Sequence, residues 1–580
     1  MYTNGKMLKR ILKYTSHYSF IMVLALICAL LYVSAMLFAP WVIGNYAINM
    51  FDDVATFNMS ELMTILYIIA GIIVIGLIFG FLMGYLLNRV TYCIIKDLRI
   101  DAYKKILSVP VSYLDSHVHG DLLTRVINDT DQVADGLLQG FSQALTGIIT
   151  IIVTVVFMLI TKWQIALVVI VLTPLSMLGA YIISRSGFKT FKAQASVKGE
   201  IGGLINEMLS EQKVVLAYNM MDANNAKFQE IDARLNKVGF RAQFASSLAN
   251  PVTRFVNAIV YGAVATIGAI SIINNPASMN VGKLSIFLSY ASQYTKPFNE
   301  ISGVATELSN SFASLRRVFE FIDEKEITDE SNLPDIKVTD GAYKLSDVEF
   351  SYVKDKPLLT NVNLDVKGSM KVAIVGPTGC GKTTLINLLM RYYDIDNGSI
   401  VIDGQNINNC NRDSLRNSVG MVLQDTWLFK GTVYENIAYA KDGATRDEVI
   451  NASKLAYCDD FIRRLPNGYD TIVSDDEGVS IGQKQLLCIA RLMLKCPQIL
   501  ILDEATSNID TRTEIMVQKA FNNLMEGRTS FVIAHRLSTI RNSDLILVMK
   551  NGNIIESGNH DELIKTGGFY KTLYYSQFEE

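Results

Sequence analysis

Apolar residues divide the chain into two parts with different patterns. Before residue 305 there are six apolar stretches of about the length that an α-helix needs to cross a membrane, roughly 20 residues. They cover approximately residues 18–42, 62–87, 137–160, 163–183, 252–273 and 281–302. This pattern predicts an all-α domain with six transmembrane helices.

The sixth stretch is the least apolar of the six. It carries Tyr290, Gln293, Tyr294, Lys296 and Asn299, and polar groups at membrane depth are costly unless they face protein or a cavity. Two interpretations stay open. Either the helix emerges into water at this point, or it forms a wall of a translocation path.

Basic residues indicate which side of the membrane each connection faces. Lys6, Lys9, Arg10 and Lys13 precede the first stretch, and further Lys and Arg residues follow the second and the fourth. The loop 45–61 has neither Lys nor Arg. The positive-inside rule therefore predicts a cytoplasmic N-terminus and cytoplasmic even-numbered connections.

These cytoplasmic connections, 88–135 and 184–250, are long and keep apolar residues at three- and four-residue spacing. Soluble insertions are one interpretation. The lack of turn clusters favours membrane helices that continue far into the cytoplasm, each ending in a small tip. The tips are predicted near 112–121 and 211–222.

The pattern changes after the last apolar stretch. Residues 321–340 are charged and have no clear period, which is typical of a linker. From Tyr343 onward, short β-branched runs alternate with helical ones, as in an α/β domain. The predicted organisation is a transmembrane domain (1–320), a linker (321–340) and an α/β domain (341–580).

A glycine-rich motif carries the main chemical signal of the second half. It follows an apolar strand, 371–375, opens a helical run and fits the pattern GxxxxGK[ST]. Its residues are Gly376, Pro377, Thr378, Gly379, Cys380, Gly381, Lys382, Thr383 and Thr384. In such a loop, backbone N–H groups cradle phosphates, Lys382 reaches the β/γ-phosphates and Thr383 holds Mg²⁺. The motif therefore predicts that the α/β domain is of the P-loop ATPase type, and a plain glycine turn before a helix is the alternative.

Acidic residues and a histidine end two further apolar strands. Asp503 and Glu504 follow the run 498–502, and His535 follows 529–534. Asp503 is placed to bind Mg²⁺ through water, and Glu504 to orient or deprotonate the attacking water. His535 is placed to touch the γ-phosphate, although a lone histidine is usually structural.

Composition narrows the class of protein. The 580 residues are 50% hydrophobic and only 19% charged, against about 25% charged for a soluble domain. The net charge is -3, and without a long basic run nucleic acid is not expected as a partner. The seven cysteines stand singly, which argues against a metal site of paired cysteines.

These residues together resemble the ATP-binding cassette of the ABC exporter family, and the likeness extends over the whole chain. By this resemblance Tyr352 stacks on adenine, Gln424 senses Mg²⁺, and Asp510 belongs to the D-loop. Ser480, Gly482 and Gln483 match the signature motif that contacts the ATP held by a partner cassette. The run from Val111 through Arg125 is similar to the first intracellular loop of these exporters.

The resemblance implies ATP and Mg²⁺ as cofactors and a second half-transporter as partner, because ATP is sandwiched between two cassettes. It implies ATP hydrolysis that drives alternating access. Export of amphipathic small molecules, multidrug-type, is the first expectation, and a lipid or lipid-linked flippase is the alternative. A regulator or channel without turnover is disfavoured by Glu504. The expected location is a plasma membrane, prokaryotic from the compact length.

The signature departs from the usual Leu-Ser-Gly-Gly-Gln. Val479 replaces the leucine and Ile481 the middle glycine. Neutral variation is one explanation. A heterodimer with two unequal ATP sites is the other and is favoured, with a homodimer still possible.

Overall fold

A computed structural model gives the structure of the chain. It describes residues 4–48, 50, 58–274, 279–328, 330–354, 356–423, 426–475, 477–503, 509–534 and 537–578. The chain forms two compact units. The first contains Met1–Ser108 and His117–Glu324, and the second contains Val109–Ser116 and Lys325–Glu580.

The first unit is built from helices joined by short connections, with no strand among its described residues. In chain order the helices up to residue 322 are α1 (Asn4–Ser16), α2 (Ser19–Val42), α3 (Met59–Ser108), α4 (Val111–Ser116), α5 (His119–Val126), α6 (Asn128–Ser210), α7 (Gln212–Ala217), α8 (Met221–Asn274) and α9 (Val281–Ile322). Of these, α4 belongs to the second unit. A π-helical turn, Ile43–Ala47, extends α2.

The long helices outrun a membrane, as predicted. Helix α3 has 50 residues, about 75 Å at 1.5 Å per residue, whereas the hydrocarbon core is about 30 Å thick. Its apolar part ends before Arg89. The helix therefore continues well beyond the bilayer, and short helices stand at both predicted tips, α4 and α7.

Helices cover all six predicted stretches, but their number as membrane spans stays a prediction. Among the described residues, four helical segments are long and apolar enough to cross a membrane: Ser19–Ala47, Met59–Ser108, His119–Thr173 and Arg254–Asn274. The third and fourth stretches share helix α6, which is interrupted at Lys162 (φ -164°, ψ 106°). The sixth stretch lies in α9, where polar residues lower the hydropathy.

Clusters of buried side chains hold the helices of this unit together. The first joins α2, α3, α6, α8 and α9; there Tyr290 is fully buried and its hydroxyl donates to the Leu37 carbonyl at 3.1 Å. The second joins α1, α3, α6 and α9 around Leu98 and Phe319. Beside it, the Arg10 guanidinium lies 4.3 Å from the Phe319 ring centroid and donates to Asp323 at 2.6 Å.

The second unit is an α/β domain, as predicted. Its strands are β1 (Tyr343–Phe350), β2 (Leu359–Val366), β3 (Lys371–Val375), β4 (Asn397–Ile402), β5 (Gln405–Asn406), β6 (Val419–Val422), β7 (Gly431–Thr432), β8 (Ile472–Val473), β9 (Ile499–Asp503), β10 (Thr529–Ile533), β11 (Leu545–Lys550) and β12 (Asn553–Gly558). Its remaining helices are α10 (Lys382–Leu389), α11 (Arg412–Ser418), α12 (Val433–Ala438), α13 (Arg446–Leu455), α14 (Asp459–Ile462), α15 (Ile481–Lys495), α16 (Thr511–Met525), α17 (Leu537–Arg541), α18 (His560–Thr566) and α19 (Phe569–Phe578).

A six-stranded sheet in the order β12-β11-β3-β10-β9-β6 forms the centre of this unit. All its strands are parallel except the edge strand β12. Side chains of β3 alternate between two cores, with Ala373 and Val375 in one and Val372 and Ile374 in the other. Burial on both faces explains why β3 and β9 are almost continuous apolar runs in the sequence.

The segment before β1 is tied to the domain by charged groups. Glu330 binds Arg391 at 2.8 Å and Arg412 at 3.0 Å, and the Arg391 side chain is only 5% exposed. The carboxylate of Asp403 accepts hydrogen bonds from four consecutive backbone N–H groups, those of residues 339–342. The predicted domain boundaries stay predictions. The compact units differ from them in that Val109–Ser116 joins the second unit.

Candidate nucleotide site and membrane cavities

The glycine-rich loop connects the central strand β3 to helix α10, which begins at Lys382. Gly379 and Gly381 have left-handed φ values of 80° and 102°, which glycine adopts without steric cost. A Cβ on Gly381 would lie 2.8 Å from Leu359 Cδ2. Pro377, Thr378 and Gly379 are exposed while Cys380 is buried, so the loop presents its outer rim to solvent.

Lys382 is folded back over this loop. Its Nζ donates to the Gly376 carbonyl at 2.7 Å and to the Pro377 carbonyl at 3.1 Å. An ammonium group over a helix N-terminus adds to the positive field there. The loop therefore offers an anion both backbone N–H groups and a side-chain cation.

The first turn of α10 places two threonines differently. Thr383 is exposed and Thr384 is buried. The Tyr352 hydroxyl, from the segment after β1, donates to Thr384 Oγ1 at 3.3 Å. This brings the predicted adenine-stacking tyrosine, 47% exposed, to the same helix as the predicted Mg²⁺ ligand Thr383.

The parallel strands of the central sheet place Asp503 at the same edge as the glycine-rich loop. Strands β3, β10, β9 and β6 are parallel, so their carboxyl ends share the edge of the sheet that carries the glycine-rich loop. Asp503 ends β9 and pairs with Ile533 of β10. Glu504, His535 and Gln424 lie outside the described residues, directly after or close to the ends of these strands.

The signature residues form the start of helix α15. Ser480 is the N-cap: its Oγ accepts from the Gln483 N–H at 3.3 Å, and Gln483 Oε1 accepts from the Ser480 N–H at 2.9 Å. A Cβ on Gly482 would lie 2.5 Å from Thr513 Cγ2, so α15 and α16 approach closely there. Ile481, at the usual glycine position, is 55% exposed.

Asp510, the predicted D-loop residue, caps a helix. It is the N-cap of α16 and accepts from the Thr513 N–H at 3.0 Å. Hydrogen bonding from the Thr513 backbone N–H lowers the pKa of Asp510, so this carboxylate is charged at neutral pH. Its predicted D-loop role stays a prediction.

The sequence analysis did not anticipate Tyr393. Its ring packs edge-on against Tyr352, with 5.0 Å between centroids, and also against Phe350. Its hydroxyl donates to Asp115 of α4. No local pattern announces this contact, because the two partners are 278 residues apart.

Two cavities lie among the membrane helices. One, of about 620 Å³, is enclosed by α2, α3, α6 and α9 and is lined by Lys296 and Glu300. The other, of about 700 Å³, lies between α8 and α9 and is lined by Lys296 and Asn257. Lys296 thus reaches both cavities, whereas Arg254, the other cation that the sequence suggested for a lipid path, lines neither.

Comparison with known proteins decides the family. Residues 22–298 match the ABC transporter transmembrane region, and residues 359–507 match the ABC transporter domain. The chain is 41% identical over 486 residues to a fatty acid ABC transporter ATP-binding/permease protein of Mycobacterium bovis, which covers 84% of this chain and 76% of the relative. The chain is an ABC transporter.

Two further relatives support this ABC transporter assignment. An uncharacterized ABC transporter ATP-binding protein of Bacillus subtilis, YfiC, is 38% identical over 99% of this chain and 94% of its own length. An ATP-dependent lipid A-core flippase of Photorhabdus laumondii is 32% identical over 88% of each chain.

The whole ABC transporter chain also matches a solved structure. A bacterial Atm1-family ABC exporter with ATP bound has a TM-score of 0.79 and 26% identity, and the match covers all of both chains. The predicted family, fold class and ATPase activity coupled to transport are confirmed. The chain spans a membrane, with its ATPase domain on the cytoplasmic side.

Proposed function

We propose that the chain is one half of a dimeric ABC exporter that moves amphipathic small molecules out of the cytoplasm. The observation that carries this proposal is the loop from Gly376 to Thr384. Its glycines, two of them with left-handed φ values, and the Lys382 ammonium suit the triphosphate of ATP. Closure of two cassettes on ATP drives the change, because ATP binds the closed state more tightly than the open one.

Mg²⁺ fits the same edge of the sheet. The exposed Thr383 hydroxyl and the Asp503 carboxylate supply the oxygen ligands that this ion prefers, and Gln424 is the third proposed ligand. When bound, Mg²⁺ neutralises charge on the phosphates. Glu504 orients or deprotonates the attacking water, His535 contacts the γ-phosphate, and Tyr352 stacks on adenine.

A lipid flippase is the second candidate function. The names of two relatives, a fatty acid transporter and a lipid A-core flippase, support it about as well as the small-molecule alternative. The cavity of about 620 Å³ supports both, since it is large enough for a drug-sized ligand. Its lining combines apolar side chains such as Met36 and Phe81 with Lys296 and Glu300.

A heterodimer is the proposed assembly. The exposed Ile481 side chain stands at the N-terminus of α15, which by the resemblance faces the partner's ATP. A branched apolar side chain there hinders the approach of phosphate to the helix N-terminus. This chain therefore contributes Lys382, Glu504 and His535 to one competent site, which is completed by an intact signature from the partner.

Steady-state ATP hydrolysis tests this proposal. We expect little activity from the purified chain alone, and restored activity when it is co-expressed with a half-transporter that carries an intact signature. Glu504→Gln in this chain should abolish the restored activity. Ile481→Gly should raise the rate of the chain alone several-fold. Robust hydrolysis by the unmodified chain alone would instead establish a working homodimer.

A further inference from the structure

We propose that the cavity enclosed by α2, α3, α6 and α9 recognises a zwitterionic amphiphile, whose acidic group binds Lys296 and whose amine binds Glu300. This inference rests on the proposed export of amphiphiles and names their headgroup chemistry. It comes from the pairing of two opposite charges in one membrane cavity.

The two charges lie one helical turn apart on α9 and line the same cavity. Positions i and i+4 of a helix stand on one face, where Glu and Lys normally attract each other. Yet among the described residues neither side chain forms an ion pair or hydrogen bond. Both charges are therefore available to a ligand.

Membrane surroundings make unpaired charges expensive. Polar and ionisable groups at membrane depth usually pair with each other or mark a substrate path. A purely acidic ligand would neutralise Lys296 and leave Glu300 repelled, and a purely cationic ligand would do the reverse. A ligand that carries both signs compensates both side chains and keeps the net charge of the filled cavity at zero.

The order of the charges along the membrane fits one arrangement of headgroup. By the predicted topology, the sixth stretch begins at Val281 on the non-cytoplasmic side of the membrane and runs towards the cytoplasm. At 1.5 Å per residue, Lys296 lies about 22 Å along the helix and Glu300 about 28 Å along it, within a hydrocarbon core of about 30 Å. The cation is thus deeper and the carboxylate is nearer the cytoplasm. An ethanolamine phosphodiester has this polarity, with the phosphate next to the apolar tail and the amine at the outer end.

The rest of the lining suits a ligand with a tail. Helices α2 and α3 contribute Met36, Leu77 and Phe81, and α6 contributes the hydroxyl groups of Ser142 and Thr146. The lining of this cavity of about 620 Å³ therefore combines apolar and polar side chains, and the volume is in the range of sites for drug-sized ligands. One short acyl chain with its headgroup is of that size class.

Three lauroyl probes that differ only in the headgroup test the proposal: lysophosphatidylethanolamine, lysophosphatidic acid and monolauroylglycerol. Each displaces an acyl-labelled fluorescent lysophosphatidylethanolamine from the full chain in a non-ionic maltoside detergent. Binding is measured on the Glu504→Gln protein, so that the result does not depend on turnover. The Kd of each probe is compared between variants, so that the partition of the probe into detergent micelles cancels from the ratio.

Lys296→Gln should raise the Kd of lysophosphatidylethanolamine and of lysophosphatidic acid by roughly tenfold or more, which is the usual scale for the loss of a hydrogen bond to a charged group. Glu300→Gln should raise the Kd of lysophosphatidylethanolamine several-fold. The Kd of lysophosphatidic acid should stay unchanged or fall. The Kd of monolauroylglycerol in both variants should stay within twofold of its value without the substitution. Lys283→Gln, a lysine of the same helix that lines neither cavity, should change none of the three.

Two outcomes would overturn the proposal. If Glu300→Gln leaves lysophosphatidylethanolamine unchanged, the site recognises an acid alone. If the binding of monolauroylglycerol weakens as much as that of the charged probes, the substitutions alter packing and not headgroup recognition. Both outcomes leave the ATPase measurement untouched, so failure here is distinct from failure of the proposed transport function.

Discussion

At the residue scale, Tyr393 joins two parts of the cassette that the sequence keeps far apart. Burial, together with its hydrogen bond to Asp115, raises the pKa of Tyr393 above its ordinary value. The phenol therefore stays protonated and donates to Asp115 at any physiological pH. Its ring supports Tyr352 edge-on, an arrangement that aromatic pairs prefer. Tyr393 is thus a positioning residue for the proposed adenine site.

Substitutions at Tyr393 separate its ring from its hydroxyl. Tyr393→Ala removes the ring that orients Tyr352, so the KM for ATP should rise several-fold with a smaller change in kcat. Tyr393→Phe keeps the ring, and its KM should stay within about twofold of the unmodified protein. ATPase kinetics of the active assembly measure both, with Tyr575→Ala, a partly exposed tyrosine of α19, as the control. Equal KM values for the Ala and Phe variants would contradict the positioning role.

At the scale of elements, Asp403 fastens the segment before β1 to the turn between β4 and β5. Burial by itself would raise the pKa of Asp403, but hydrogen bonds from the backbone N–H groups of Thr339, Ala342, Gly341 and Asp340 lower it overall. The folded-state pKa then lies below the unfolded value of about 3.9. The stabilisation is complete above that pH and is lost as the pH falls through the folded-state pKa.

Asp403→Asn should therefore destabilise the protein at neutral pH. Asparagine tolerates the left-handed φ of 46° at this position, so the backbone is kept while the charge is lost. We expect a cost of about 1–2 kcal/mol, or roughly 2–8 °C in the Tm of the cassette. Thermal unfolding of the full chain measures it, with the exposed Asp365→Asn as the control.

The pH dependence gives a second, independent check. The difference in Tm between the unmodified protein and Asp403→Asn should shrink as the pH falls below about 4, because protonation then removes the same charge. A difference that stays constant down to pH 3 would mean that the carboxylate charge does not stabilise this segment.

Most elements of the fold were predictable because their patterns are strong and local. The strand 371–375 lies where the sequence predicted it, and the interruption at Lys162 falls between the third and fourth apolar stretches. The small antiparallel sheet β2-β1-β4-β5 had no comparable signal, since β1 pairs with β4 across β2, β3 and α10. The hydropathy of α9 is lowered by polar cavity residues, which is why the number of membrane spans remains a prediction.

The candidate site was predictable in part. The glycine-rich loop, Lys382 and the Ser480 cap follow from short motifs whose physical roles are local. The contacts of Tyr393 with Asp115 and of Asp403 with residues 339–342 depend on the folded chain, so no spacing announces them. The roles of Glu504, His535 and Gln424 stay predictions, because these residues lie outside the described part of the chain.

At the scale of the whole molecule, the cassette includes a piece of the other half of the sequence. Val109–Ser116 belongs to the second compact unit, where Val109 is 3% exposed and Asp115 accepts from Tyr393. The chain therefore passes from one unit to the other at residues 108–109, 116–117 and 324–325. Cutting the last of these connections would leave the other two intact.

A chain divided between Glu324 and Lys325 should for this reason stay associated. We expect fragments 1–324 and 325–580 to co-purify from one membrane preparation through an affinity tag on the second fragment alone. Replacing residues 109–116 by a Gly/Ser segment of equal length should reduce the recovery of the first fragment at least several-fold. Undiminished recovery after the replacement would show that this segment does not hold the fragments together.

The capture of residues 109–116 also sets an order of events during synthesis. Ribosomes deliver the chain from its N-terminus at about 5–20 residues per second, and more than 200 residues separate Ser116 from the start of the cassette. This short segment therefore waits in the cytosol for roughly 10–40 s before its binding site begins to emerge. During that interval the segment, which is largely apolar and carries one acidic residue, Asp115, is accessible to chaperones and proteases. The second unit therefore becomes complete only when it binds a segment that was synthesised more than 200 residues earlier.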